Sequence, residues 1–232
     1  MKRYLPFVII VVVAAGAITC GRLIYSAKRA ELTRVLADDK EEHAASATGK
    51  SAHIRGDENA SVTLEEFGDF QCPPCATVAA NLSRIEHDYG RKLRVIFRQF
   101  PLPMHVHAQE AACAAEAAGL QGRFWDMHDL LYRNQNTWTS AAKVDDLFKQ
   151  YAVSLGLDIE RFVRDCASEE VKERVAADHA DGEARGVTAT PSLFINRHNL
   201  PPASLNEAAL RSALDAAIEG KPLPSPTATP AK

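Results

Sequence analysis

Glu66-Phe67-Gly68-Asp69-Phe70-Gln71-Cys72-Pro73-Pro74-Cys75 sets two thiols at the mouth of a helix directly after an apolar strand. Before it, Val62-Thr63-Leu64-Glu65-Glu66-Phe67 has strand character; after it, Val78, Ala79, Leu82, Ile85 and Tyr89 recur at helical spacing. A Cys-x-x-Cys pair whose first member opens a helix puts both sulfurs on one turn, close enough to form a small disulfide ring and part again. Cys72 faces unpaired backbone N–H groups and the positive end of the helix dipole, which stabilise a thiolate and make it the attacking sulfur. Cys75, one turn further in, is the more buried, resolving thiol. Pro73 suits the first turn, where its missing N–H costs nothing. A structural zinc site would need two more ligands at similar spacing, and no second Cys-x-x-Cys or Cys-x-x-His follows.

Val62 to Cys75 resembles the active-site segment of DsbA-like thiol-disulfide oxidoreductases of the thioredoxin superfamily, in the branch whose pattern runs strand, D-[FY]-x-C-P-x-C, then R-x-F-P. Phe97-Arg98-Gln99-Phe100-Pro101-Leu102 supplies the second part. Gln121-Gly122-Arg123-Phe124-Trp125-Asp126-Met127-His128-Asp129-Leu130-Leu131 is similar to the family's Q-G-[KR]-F-W-x-M-H-D-x-L helix. Gly186-Val187-Thr188-Ala189-Thr190-Pro191-Ser192-Leu193-Phe194-Ile195-Asn196 is similar to its G-V-x-x-T-P-x-x-F-I-N strand. In order, these motifs cover about residues 53–218.

The resemblance implies an α/β thioredoxin fold with a helical insertion between the two halves of the sheet. It also implies that Pro191 is cis and that Thr190, before it, offers its backbone to an extended substrate as a short extra strand. Taken alone, Pro191 reads as a trans proline opening an edge strand. Glu66, six residues before Cys72, matches the superfamily's buried acid, whose desolvated carboxyl takes and returns the proton of Cys75. The residues themselves leave other arrangements open, with Glu66 toward solvent and Glu65 inward, or both near a strand end. Two departures stand out, Glu65 where the family usually has an apolar residue and Arg197 where it usually has a turn glycine; apart from these, Pro74 stands where some relatives have His. Pro74 removes an N–H that would reach the thiolate, so the Cys72 pKa is expected to be less depressed than in those relatives.

In chain order, basic Lys2 and Arg3 precede an uncharged apolar run, and residues 1–25 read as a signal anchor or signal peptide. Ala15-Gly16-Ala17 offers a cleavage pattern, but the run is nearer a spanning length, which favours an uncleaved N-terminal hydrophobic helix. Thr19 stands before Cys20 where a lipid-attachment signal wants Gly or Ala, so Cys20 reads as an ordinary apolar-segment cysteine. Residues 26–51 are a polar, Ala-rich tether, residues 52–220 one domain, and residues 221–232, with four prolines, a disordered tail. Within the domain, residues 92–98 read as a second, parallel strand. About residues 105–185 read as a run of helices, residues 192–195 as a strand, and residues 205–218 as a closing helix.

Cys113 and Cys166 fall in the helical insertion as a candidate structural disulfide, whose Cα separation spacing does not give. His105, His107 and His128 read as solvated or capping histidines, and no metal or cofactor is expected. The net charge of −3 is mild, and no basic patch with interleaved aromatics points to nucleic acid. The expectation is an exported, monomeric protein of the bacterial cell envelope, its domain outside the cytosol and anchored in the inner membrane. It would oxidise thiols of protein substrates through Cys72 and Cys75 and be recycled by a quinone-linked membrane partner. One alternative is a reductase or isomerase kept reduced by a membrane electron donor. Another, of a different class, is a non-catalytic metal- or protein-binding module.

Overall fold

Strand β2 (Val62–Gly68) is buried along almost its whole length because it sits mid-sheet with helices over both faces. In the computed structural model, which describes residues 53–225, it joins β1 (His53–Gly56), β3 (Leu93–Gln99), β4 (Ser192–Ile195) and β5 (His198–Asn199). The spatial order is β1-β3-β2-β4-β5; β2 and β3 run parallel and the other pairs antiparallel. The parallel pair needs a crossover, and α1 (Pro73–Tyr89) provides it. The expected N-terminal hydrophobic helix, the tether and residues 226–232 lie outside the described residues. Among the described residues no helix is long and apolar enough to cross a membrane.

Between β3 and β4 come α2 (Ala108–Gly119), α3 (Phe124–Arg133), α4 (Gln135–Trp138), α5 (Asp145–Ser154), α6 (Ile159–Ala167) and α7 (Glu169–Ala184). This is the helical insertion, and α8 (Glu207–Ile218) closes the domain. Residues 221–225 carry no regular structure, yet Leu223 packs on the core and the Pro224 carbonyl lies 3.0 Å from His198 Nε2.

Side chains alternate between the faces of a strand, and here the alternation sorts the chemistry. Val62, Leu64, Val95, Leu193 and Ile195 pack with Val78, Leu82 and Ile85 of α1 and Leu210 and Leu214 of α8. Glu66 and Gly68 share that face. On the other face Phe67 and Phe194 pack with Phe100 and Val187, beneath α7. The backbone of α7 comes close there at Gly182: a Cβ would lie 2.7 Å from the Phe100 ring and 2.9 Å from Phe67.

Glu65, unexpected in a strand, points to this α7 face and is buried with its partners. Arg98 Nε donates to Glu65 at 2.9 Å and Nη1 to Asp178 of α7 at 3.0 Å, while Arg185 Nη2 lies 2.7 Å from the other Glu65 oxygen. Asp178 also accepts the Gln99 N–H at 3.0 Å. The two arginines hold the Glu65 carboxyl below its usual range against the cost of its burial. The turn after β4 is likewise met without glycine: Asn196 (φ 47°) and Arg197 (φ 69°) form a two-residue hairpin turn with both residues left-handed. Asn196 Oδ1 accepts the Thr63 N–H at 2.9 Å, which ties that turn to β2.

Arg98→Ala strips Asp178 of its guanidinium and Glu65 of one of two. The expected loss is roughly 3 kcal/mol, read from urea unfolding midpoints at neutral pH.

Candidate active site

The loop from β2 to α1 is shaped by one buried carboxylate. Asp69 accepts the backbone N–H of Gln71 at 2.7 Å and of Leu102 at 2.8 Å, and its Oδ2 lies 2.7 Å from His105 Nδ1. Its carbonyl accepts the Cys72 N–H at 3.0 Å. From the insertion, the buried Gln135 amide donates to the carbonyls of Phe70 at 2.7 Å and Cys72 at 3.0 Å. Gln71 Oε1 in turn accepts the His107 N–H at 2.7 Å. The two cysteines are therefore presented on a backbone clamped from both sides.

Cys72 is the N-cap of α1, in extended conformation, with Pro73 and Pro74 as the first two helical residues. Neither proline has an N–H, so the first amide N–H of the helix is that of Cys75, which donates to the Cys72 carbonyl at 3.1 Å. Cys72 Sγ lies 3.3 Å from the Thr190 carbonyl, and the Thr190–Pro191 peptide is cis. The Cys72 thiol is held down at about 6. Donation from the Cys75 thiol does most, against burial, with the Thr190 side chain and the Cys75 N–H helping and the Asp69 charge opposing. Cys75, with no exposed surface, is pushed far up by burial and by giving its hydrogen to Cys72. Both are free thiols, and Cys72 itself is only 5% exposed.

Glu66 lies on the α1 face of β2, fully buried, and its Oε1 has no hydrogen-bond partner. Burial, and then the Cys72 charge, raise its carboxyl to about 8. Cys72, Cys75, Glu66, Thr190 and Pro191 thus come to one end of the sheet. Cys113 and Cys166, both free thiols, line a separate cavity of about 470 Å³ among α2, α5 and α6. The three histidines go different ways: His105 to Asp69, His107 Nε2 to the Ala141 carbonyl at 3.0 Å, and His128 Nδ1 to Asp129 at 2.8 Å. No group of three or more His, Cys, Asp or Glu side chains among the described residues is placed to hold a metal ion. Asp69 and Gln135 escaped the sequence reading. Asp69 stood in the quoted motif with no signal of its role, and Gln135 sits in a one-turn helix far along the chain.

A thioredoxin family model matches residues 48–216. The chain belongs to the thioredoxin family. It is 41% identical over 156 residues to a Na(+)/H(+) antiporter NhaA 1 of Mycolicibacterium gilvum, covering 64% of this chain and 24% of the antiporter. The chain thus spans about a quarter of the length of the curated relatives it matches. A thioredoxin-like oxidoreductase from Silicibacter pomeroyi is 26% identical, with a TM-score of 0.61 over 73% of this chain and 94% of that one. Oxidised BdbD from Bacillus subtilis is 21% identical, with a TM-score of 0.66 over 74% and 95%. This thioredoxin-family chain has the DsbA-like fold, with Cys72 and Cys75 at the start of α1.

Two outcomes follow from the charges at this site. In Cys75→Ala the thiolate absorbance of Cys72 titrates with a midpoint above about 6, whereas Cys75→Ser, which keeps an O–H donor, rises less. The raised Glu66 carboxyl binds a proton in the folded state between its ordinary value and about 8. Its contribution to stability is present below the ordinary carboxyl range and is lost as pH rises through about 8. In a Cys72→Ser background, where that thiol no longer titrates, Glu66→Gln should flatten a fall of up to about 1.4 kcal/mol per pH unit. Unfolding midpoints from pH 5 to 9 measure it.

Proposed function

We propose that the protein is an exported thiol oxidase of the bacterial cell envelope, acting on the cysteine thiols of protein substrates. The observation that carries this reading is the asymmetry of the two sulfurs, with Cys72 held near 6 and Cys75 driven far up. Stabilising one thiolate favours the reduced form of the pair, and a pair stabilised when reduced is an oxidant.

In the oxidised protein a substrate thiolate attacks Cys72 Sγ, the Cys72–Cys75 bond breaks, and Cys75 leaves with the electron pair. The Glu66 carboxyl, protonated at neutral pH, gives Cys75 its proton. A second substrate thiolate then displaces Cys72, so the substrate gains a disulfide and the protein keeps two thiols. The cis Thr190–Pro191 peptide beside Cys72 offers backbone groups to an extended substrate strand. A membrane redox partner, linked to quinone, would return the disulfide to the pair, and the N-terminal segment would hold the domain near it as an anchor. Cys113 and Cys166, lining one cavity, form a second disulfide in that oxidising compartment.

One observation favours the alternative of a reductase or isomerase kept reduced by a membrane donor. Pro73 and Pro74 withhold two amides from Cys72, and its pKa of about 6 lies nearer to the value of about 7 in thioredoxin than to about 3.5 in the strong oxidant DsbA.

The deciding experiment equilibrates the full chain in glutathione buffers and reads the thiols by alkylation and mass. A potential of Cys72 and Cys75 near about −120 mV identifies an oxidase, and one near about −270 mV a reductase. The same spectra report whether Cys113 and Cys166 pass together from two thiols to none.

A further inference from the structure

Two buried polar atoms on the α1 face have no hydrogen-bond partner, Glu66 Oε1 and Tyr132 Oη. Buried polar groups in folded proteins nearly always find a partner, in protein or in ordered water, so two orphans in one small region call for a joint explanation. Their positions supply it. Glu66 and Gly68 project to the same face of β2. A Cβ added to Gly68 would lie 3.1 Å from Tyr132 Oη, so the phenol reaches in over the strand through the space that the missing side chain leaves. The Tyr132 ring packs on Phe70 with centroids 4.9 Å apart, in the core cluster that also holds Cys75.

We propose that the Tyr132 hydroxyl is the positioning donor of Glu66, linked to its carboxyl across one bridging water, and that it steadies the carboxylate left when Glu66 protonates Cys75. This inference rests on the role given to Glu66 above. The chemistry balances. The Cys72–Cys75 bond breaks as the substrate sulfur bonds to Cys72, the Glu66 proton moves to Cys75 Sγ, and the phenol keeps its own proton throughout while donating to the carboxylate. The direction of both environments agrees: burial is the first cause raising the Tyr132 hydroxyl far above its ordinary range, with the Cys75 and Glu66 charges next, so it stays a donor at every working pH. Gly68 is then required for more than packing, since any side chain there would close the approach.

The test is single-turnover oxidation of a two-cysteine model peptide by the oxidised full chain from pH 5 to pH 9, taking the ratio of variant to parent rate so that the peptide's own ionisation cancels. Tyr132→Phe keeps the ring and its packing. With the donor gone the carboxylate is less stabilised, so the pH midpoint at which the Glu66-dependent rate falls away moves up by about one pH unit. In a Glu66→Gln background the same substitution changes nothing further. A Tyr132→Phe profile that superimposes on the parent overturns the inference, as does an equal slowing in both backgrounds, which would mark a packing effect. If Glu66→Gln leaves the profile of the parent unchanged, the proton role of Glu66 falls first and this inference falls with it.

Discussion

A central strand covered on both faces cannot hold a bare carboxylate cheaply, and β2 holds two in succession. Period-two alternation sends Glu65 to one side of the sheet and Glu66 to the other. The cost of burying an unpaired charge, several kcal/mol or more, is met in opposite ways. On the α7 side, Arg98 and Arg185 converge on Glu65 within 3 Å, and the carboxyl stays ionised. On the α1 side no ion pair reaches Glu66 among the described residues, the Arg55 charge opposes burial only weakly, and the carboxyl keeps its proton to about 8. The first arrangement fastens α7 to the sheet. The second stores a proton beneath the dithiol. Neighbouring residues of one type therefore do structural and chemical work because the pleat separates their surroundings.

The same economy of groups governs Cys72. A helix N-terminus ordinarily offers several free amides to an anion, and Pro73 and Pro74 remove the first two. What remains is the Cys75 N–H, the Cys75 thiol and the Thr190 side chain. Stabilisation of the thiolate thus depends mainly on Cys75. The nearby Asp69 charge works against the thiolate, yet that carboxylate is fixed by the loop it organises, with two backbone amides and His105 converging on it. Loop geometry and thiol acidity are therefore coupled through one side chain.

Much of this was readable from the chain. The strand, the Cys-x-x-Cys and the amphipathic helix declare themselves by periodicity, and the helices of the insertion by their apolar spacing and glycine breaks. The first and last strands did not. His53–Gly56 alternates between half-buried and exposed at the sheet edge, and His198–Asn199 is two residues long, so neither presents an apolar run. Which acid faces the dithiol was legible only as a resemblance, because two adjacent glutamates differ by one residue of register. The long-range partners were beyond reach for a plainer reason. Arg185 lies 120 residues from Glu65 in the chain, and Tyr132 64 residues from Gly68, and nothing local marks them as neighbours.

Those separations bear on how the site comes into being. The dithiol sits on α1, the clamp on its loop comes from Gln135 of the insertion, and the Thr190 carbonyl beside Cys72 comes from the segment after α7. The first half of the sheet can set the two sulfurs on one helical turn by itself, but it supplies neither the buried amide that holds the loop nor the backbone facing the thiol. The insertion is therefore part of the candidate site rather than an addition to its surface. Contacts across such sequence separations form late, after the entropy of closing long loops has been met, so the Thr190 contact that completes the surroundings of Cys72 exists only once the whole domain has folded.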